Sequence, residues 1–178
     1  MKKILLILSL SMISLTTFGQ TKEETITYLD KVLKMSIGYK IISDTIQECT
    51  ITSALFRYDK IEIVRKNNDL KPVFKFRSYY TDCYTSINWE SLSKIETMGE
   101  ERMDSLLVYF FVKLDNKVRY DAFAQFETNT SETGMDDDMH YPNYITLFVL
   151  KAKAESFKKA IERLVVIAKE ENKNPFED

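Results

Sequence analysis

Four glycines and one histidine are all that 178 residues supply of either type, and those two shortages exclude the most. A phosphate-cradling loop needs glycines close together, and Gly19, Gly38, Gly99 and Gly134 are scattered. The G-x-S-x-G turn of serine hydrolases is missing for the same reason. With His140 as the one imidazole, any Ser–His or Cys–His pair would have to be built on it. Basic charge is also short: 25 Lys and Arg stand against 27 Asp and Glu, a net charge of −2. Such a chain lacks the electrostatic footprint of a nucleic-acid binder and the polybasic patch that holds proteins on anionic membranes. No cofactor-binding pattern is present, so no cofactor is expected.

What is present begins with the address. Lys2 and Lys3 precede an apolar stretch from Ile4 to Leu15, and Thr17 and Gly19 place small residues before Gln20. Charge, apolar run and small-residue exit read as a signal peptide over 1–19, cleaved between Gly19 and Gln20. The expected product is a bacterial protein exported to the periplasm or the exterior and soluble after cleavage. No cysteine lies near the cut to carry a lipoprotein anchor, so no membrane anchor is expected. Cleavage removes two lysines and no acid, leaving 23 basic against 27 acidic residues and a net charge of −4. Residues 20–178 suit a single domain with a real core.

Thr21-Lys-Glu-Glu24 is a capping box, and Ile26, Leu29, Val32 and Leu33 follow at helical spacing until Gly38. This predicts a helix over 22–36. From residue 47 the period becomes two. Cys49, Ile51, Ser53 and Leu55 share one face of a first strand; Ile61 and Ile63 alternate with Glu62 in a second. A third carries Phe74, Phe76, Ser78 and Tyr80 on one face. A short fourth strand is read at Lys94–Met98, then the most apolar strand at Leu106–Leu114, and two more at Val118–Glu127 and Tyr144–Lys151. The Asp115-Asn116 pair suits a hairpin between the fifth and sixth, and Thr128–Asn143 reads as a long polar loop. Ala154, Phe157, Ile161, Leu164 and Ala168 then mark an amphipathic helix from about 153 to 170.

The expected fold is therefore α+β: an N-terminal helix, then a seven-stranded antiparallel orthogonal sandwich or partly open barrel, capped by a C-terminal amphipathic helix. The strand order, a four-plus-three grouping and the closing Ala154-Glu-Ser-Phe-Lys-Lys-Ala-Ile-Glu-Arg-Leu164 helix resemble a pleckstrin-homology-like (PH-like) domain over about 47–170. That resemblance implies two near-orthogonal sheets with the helix plugging their open corner, Phe157, Ile161 and Leu164 being its anchors. The N-terminal helix departs from the pattern. The phosphoinositide binding of such domains does not carry over, because the first turn, Tyr58-Asp59-Lys60, is short and contains an acid.

Candidate sites follow from side-chain chemistry. Tyr79, Tyr84, Trp89, Tyr109 and Phe111 fall off the presumed core parity or in a loop, which makes them an aromatic surface for a ligand or partner. Asp136, Asp138 and His140 offer carboxylate and imidazole to a metal, without the alternating spacing of a calcium loop. No disulfide is expected between Cys49 and Cys83. They begin strand one and end strand three, and strands two apart are already about 9–10 Å from each other. No catalytic constellation emerges. The leading expectation is a non-enzymatic binding or interaction module for a protein, peptide or small ligand. A carrier of an apolar small molecule or lipid in a β-framework cavity, and a divergent cell-envelope hydrolase, remain as alternatives.

Overall fold

A computed structural model describes residues 21–42, 48–68, 76–98, 105–127 and 133–173; the segment read as a signal peptide lies outside them. The first element, α1 (Lys22–Lys34), starts where the capping box predicts. The Glu24 amide donates to Thr21 Oγ1 at 3.2 Å, and the Thr21 amide donates to Glu24 Oε2 at 3.0 Å. Replacing Thr21 by Ala should cost about 1 kcal/mol, read as a lower urea midpoint at unchanged slope. The helix ends in a turn that Gly38 closes at φ +91°, a left-handed conformation that glycine adopts without a Cβ penalty. Its amide donates to the Ile51 carbonyl at 2.8 Å and leads the chain into the sheet.

Nine strands follow among the described residues. They are β1 (Lys40–Ile42), β2 (Glu48–Phe56), β3 (Lys60–Asn67), β4 (Phe76–Thr85), β5 (Leu92–Met98), β6 (Leu107–Leu114), β7 (Arg119–Glu127), β8 (Thr133–His140) and β9 (Tyr144–Leu150). The chain closes with α2 (Ala154–Glu171). All pairings are antiparallel. One sheet runs β1-β2-β3-β4-β7-β8 and the other β5-β6-β9. This is an α+β sandwich, and neither sheet closes into a barrel.

Three details differ from the sequence reading. Six and three strands replace the four-plus-three grouping. The Asp115-Asn116 pair makes no hairpin, because both sides of β6 are already taken, by β5 and β9. The chain instead crosses to the larger sheet at this point, held by Leu114 N–H donating to Asn143 O and Val118 N–H to Pro142 O, each at 2.8 Å. The third is β8: within the expected polar loop, residues 133–140 pair in unbroken register with β7. A Gly and three Asp residues give that stretch little strand propensity, yet main-chain pairing suffices at a sheet edge, where side chains need not be buried.

A fourth correction is local and has a clear cause. The pairing of β2 with β3 slips between Ile51 and Ser53, so the buried set is Cys49 and Ile51, then Ala54 and Phe56. One extra residue in a strand reverses which face each later side chain takes. Ser53 and Leu55 therefore leave the face assigned to them by strict alternation.

The core gathers where the two helices meet the strands. Phe157, Ile161 and Leu164 of α2 are fully buried, each contributing about 1.5–3 kcal/mol by burial. Phe157 meets Phe110 edge-on at 5.2 Å and Phe56 at 6.2 Å, and Phe56 stacks on Trp89 at 5.7 Å. Leu29, Val32 and Leu33 of α1 are buried in the same core. Lys22 joins α1 to α2 through an ion pair with Glu171 at 2.7 Å. Among the described residues no helix is long and apolar enough to cross a membrane.

Candidate functional site

Alternation along β3 places Ile61, Ile63 and Arg65 on one face, and along β4 it places Tyr80, Asp82 and Tyr84 on that same face of the sheet. Ile61 and Ile63 are buried, so Arg65 carries a charge onto an inward parity. Arg65 lies opposite Tyr80 and Asp82 opposite Ile63, which makes the two charges diagonal neighbours across adjacent strands. The Arg65 guanidinium meets Asp82 Oδ2 at 2.6 Å, with the two side chains only 17% and 11% exposed. The other carboxylate oxygen accepts a hydrogen bond from the Tyr120 hydroxyl of β7 at 2.6 Å.

This group forms the base of a cleft of about 270 Å³ between the two sheets. On the side of the larger sheet, the rings of Tyr84 and Tyr120 lie 4.9 Å apart, and Tyr120 meets the imidazole of His140, from β8, at 4.6 Å. On the side of the smaller sheet stand Tyr109 of β6 and Tyr144, Thr146 and Phe148 of β9. Tyr109 and Phe148 face each other across that strand pair at 5.1 Å. One bond ties the two sides: the Thr146 amide donates to the Tyr84 phenol oxygen at 3.3 Å. Pro142 borders the opening, and Tyr144 is nearly half exposed there.

Electrostatics keep the base fixed. Burial, the largest single influence, opposes the Arg65 charge, and Asp82 together with Cys49, Tyr120 and Tyr84 outweighs it, so the guanidinium is held above its ordinary pKa. Burial, reinforced by the Asp82 charge, pushes both Tyr84 and Tyr120 well above the usual phenol range. Both are therefore neutral hydroxyls over the whole physiological range. Among the described residues nothing accepts the buried Nε–H of Arg65. A buried donor of that kind is costly unless something meets it.

The residues singled out from sequence fall in different places. Tyr84 and Tyr109 line the cleft, and Phe111 stacks beside Tyr109 at 5.9 Å on the same face of β6. Tyr84 is reached because β4 runs on to Thr85, which puts it on the inward parity rather than in a loop. Tyr79 lies on the opposite face of β4, half-buried. Trp89 leaves the surface set altogether: it is 1% exposed, and its Nε1–H donates to the Tyr58 carbonyl at 2.6 Å.

For the metal reading, the side chain of Asp136 lies outside the described residues. Asp138 is 82% exposed and 3.9 Å from His140. No group of three candidate ligands occurs among the described residues. His140 is turned instead to the cleft. Cys49 and Cys83 are buried thiols with no bridge between them. Cys49 pairs with Asn67 and Cys83 with Glu62, so five residues of β3, about 17 Å of strand, separate their levels.

Sequence reasoning missed Arg65, Asp82, Tyr120, Tyr144, Thr146 and Phe148. The available signal was parity, since a charged residue continues the Ile61, Ile63 face of one strand.

Fold and cleft together define a two-sheet α+β sandwich with an aromatic-walled, polar-based opening between its sheets. Compared with protein-family models, with curated proteins and with solved structures, the chain matches none of them.

Proposed function

We propose that this chain is an exported, non-enzymatic binding module whose inter-sheet cleft holds a small polar ligand bearing a ring. The observation that carries the reading is the Arg65–Asp82–Tyr120 group at the base of a cleft walled by tyrosines and Phe148. Binding sites combine apolar and aromatic walls with a few fixed polar groups. Here those groups are locked in place on strands rather than loops. At about 270 Å³ the space falls just under the usual range of roughly 300–1,000 Å³, which suits a single ring.

The alternatives draw less support. A carrier of apolar molecules needs interior space, and Phe56, Trp89, Phe110 and Phe157 fill the interior between helices and sheets. A hydrolase would need a nucleophile beside His140, and no serine or cysteine is among the described residues lining the cleft. Export is supported by the N-terminal pattern of charge, apolar run and small residues.

Thermal unfolding of the full chain against a panel of polar ring compounds tests the reading. A true ligand at a hundred times its Kd should stabilise by about 2.7 kcal/mol, and the Y109A/Y144A double variant should lose that gain. A panel without any stabilising compound sinks the proposal, as does stabilisation that survives in the double variant.

A further inference from the structure

We propose that the ligand of this cleft is an uncharged ring carrying several hydroxyl groups, of the pyranose or cyclitol class; the inference rests on the cleft being a binding site. Charge balance is the first argument. The full charges at the base, Arg65 and Asp82, already neutralise each other at 2.6 Å. An anion seated there would be attracted by Arg65 and repelled by Asp82. A cation would meet the reverse, and either would surrender its hydration without a net counter-charge. An uncharged ligand meets neither obstacle.

The second argument is the pattern of hydrogen-bonding groups. The Arg65 guanidinium, which lines the cleft, can only donate. The Tyr84 oxygen takes the Thr146 amide, leaving its own proton to donate. Tyr120 gives its proton to Asp82, so its oxygen presents lone pairs. Donors and acceptors therefore alternate within one small area. A hydroxyl both donates and accepts, so several hydroxyls on one ring can satisfy such a set, whereas a carboxylate supplies acceptors alone.

The third argument is shape. Tyr109 and Tyr144 on one side and Tyr120 on the other line the cleft with aromatic rings. The C–H faces of a saturated six-membered ring pack against such surfaces while its hydroxyls point to the rim and base. Tyr144 at the mouth is 46% exposed, so a ring seated inside can be the end of a longer chain.

The test titrates the full chain, labelled with carbon-13 in its tyrosine rings, with five probes: glucose, myo-inositol, benzoate, inorganic phosphate and tetramethylammonium. Glucose or inositol should shift the Tyr109, Tyr120 and Tyr144 signals with a Kd about ten-fold or more below that of any charged probe. Y144A, an exchange at an exposed ring, should weaken that binding about ten-fold while leaving the urea midpoint near its original value. A charged probe that binds the cleft more tightly overturns the uncharged class and leaves the cleft standing as a site. If none of the five moves the cleft signals, the ligand class and the binding reading fall together.

Discussion

Replacing Asp82 by Ala is expected to lower the stability of the fold by about 3–5 kcal/mol, the cost of leaving a buried charge without its partner. The substitution removes both the counter-ion of Arg65 and the acceptor of the Tyr120 hydroxyl. For a chain of this length, each kcal/mol moves Tm by about 2–4 °C, so a fall on the order of 10–15 °C should be seen by calorimetry. The pair is not a surface ion pair of the kind worth about 0–1 kcal/mol, because its side chains are 17% and 11% exposed. A loss below about 1 kcal/mol would show that water screens the pair and that the base of the cleft is open. The companion experiment replaces both charges, R65L with D82L. With no charge left to strand, that double variant should recover most of the stability while losing ligand binding. Stability and binding would then be separated at the same two positions.

Trp89→Ala should be as damaging, at about 3–5 kcal/mol. The indole is fully buried, stacks on Phe56, and donates to the Tyr58 carbonyl. Its loss opens a cavity and leaves a part-buried carbonyl without this donor in one step. Trp89→Phe keeps a ring against Phe56 and removes only the donor, so its cost should fall to about 1–3 kcal/mol. Urea unfolding followed by circular dichroism reads both, since the substitutions delete the chain's one tryptophan and with it the fluorescence probe. Equal losses in the two variants would assign the whole effect to the hydrogen bond. A negligible loss in both would contradict the burial of the ring. Because domains are stable by only about 5–15 kcal/mol in total, the Ala variant approaches the limit of folding.

These two sites also show how much the sequence disclosed. Local signals carried well: the capping box at Thr21 and Glu24 starts α1, and the spacing of Phe157, Ile161 and Leu164 sets the buried stripe of α2. Period-two alternation located seven of the nine strands. Partner choice was hidden, because pairing depends on what else competes for a strand's two edges. The Asp115-Asn116 turn looked sufficient for a hairpin, yet β6 was already flanked by β5 and β9. Burial by parity failed where one residue was added, at Thr52, and where a strand ran longer than its apolar pattern, at Tyr84. The cleft was only half legible for the same reason. Tyr109 was found from its own strand, but Arg65 and Tyr120 become neighbours of Asp82 only through the order β3-β4-β7.

The Thr146–Tyr84 bond carries a consequence for behaviour at high concentration. β9 is an outer strand of the smaller sheet, and an outer strand offers unmatched main-chain amides to any passing chain. At Thr146 that amide is already occupied by a phenol from the neighbouring sheet. A second molecule pairing at that point would have to displace the Tyr84 phenol. The same tyrosine that shapes a pocket for a small molecule thereby helps keep copies of the protein from stacking edge to edge.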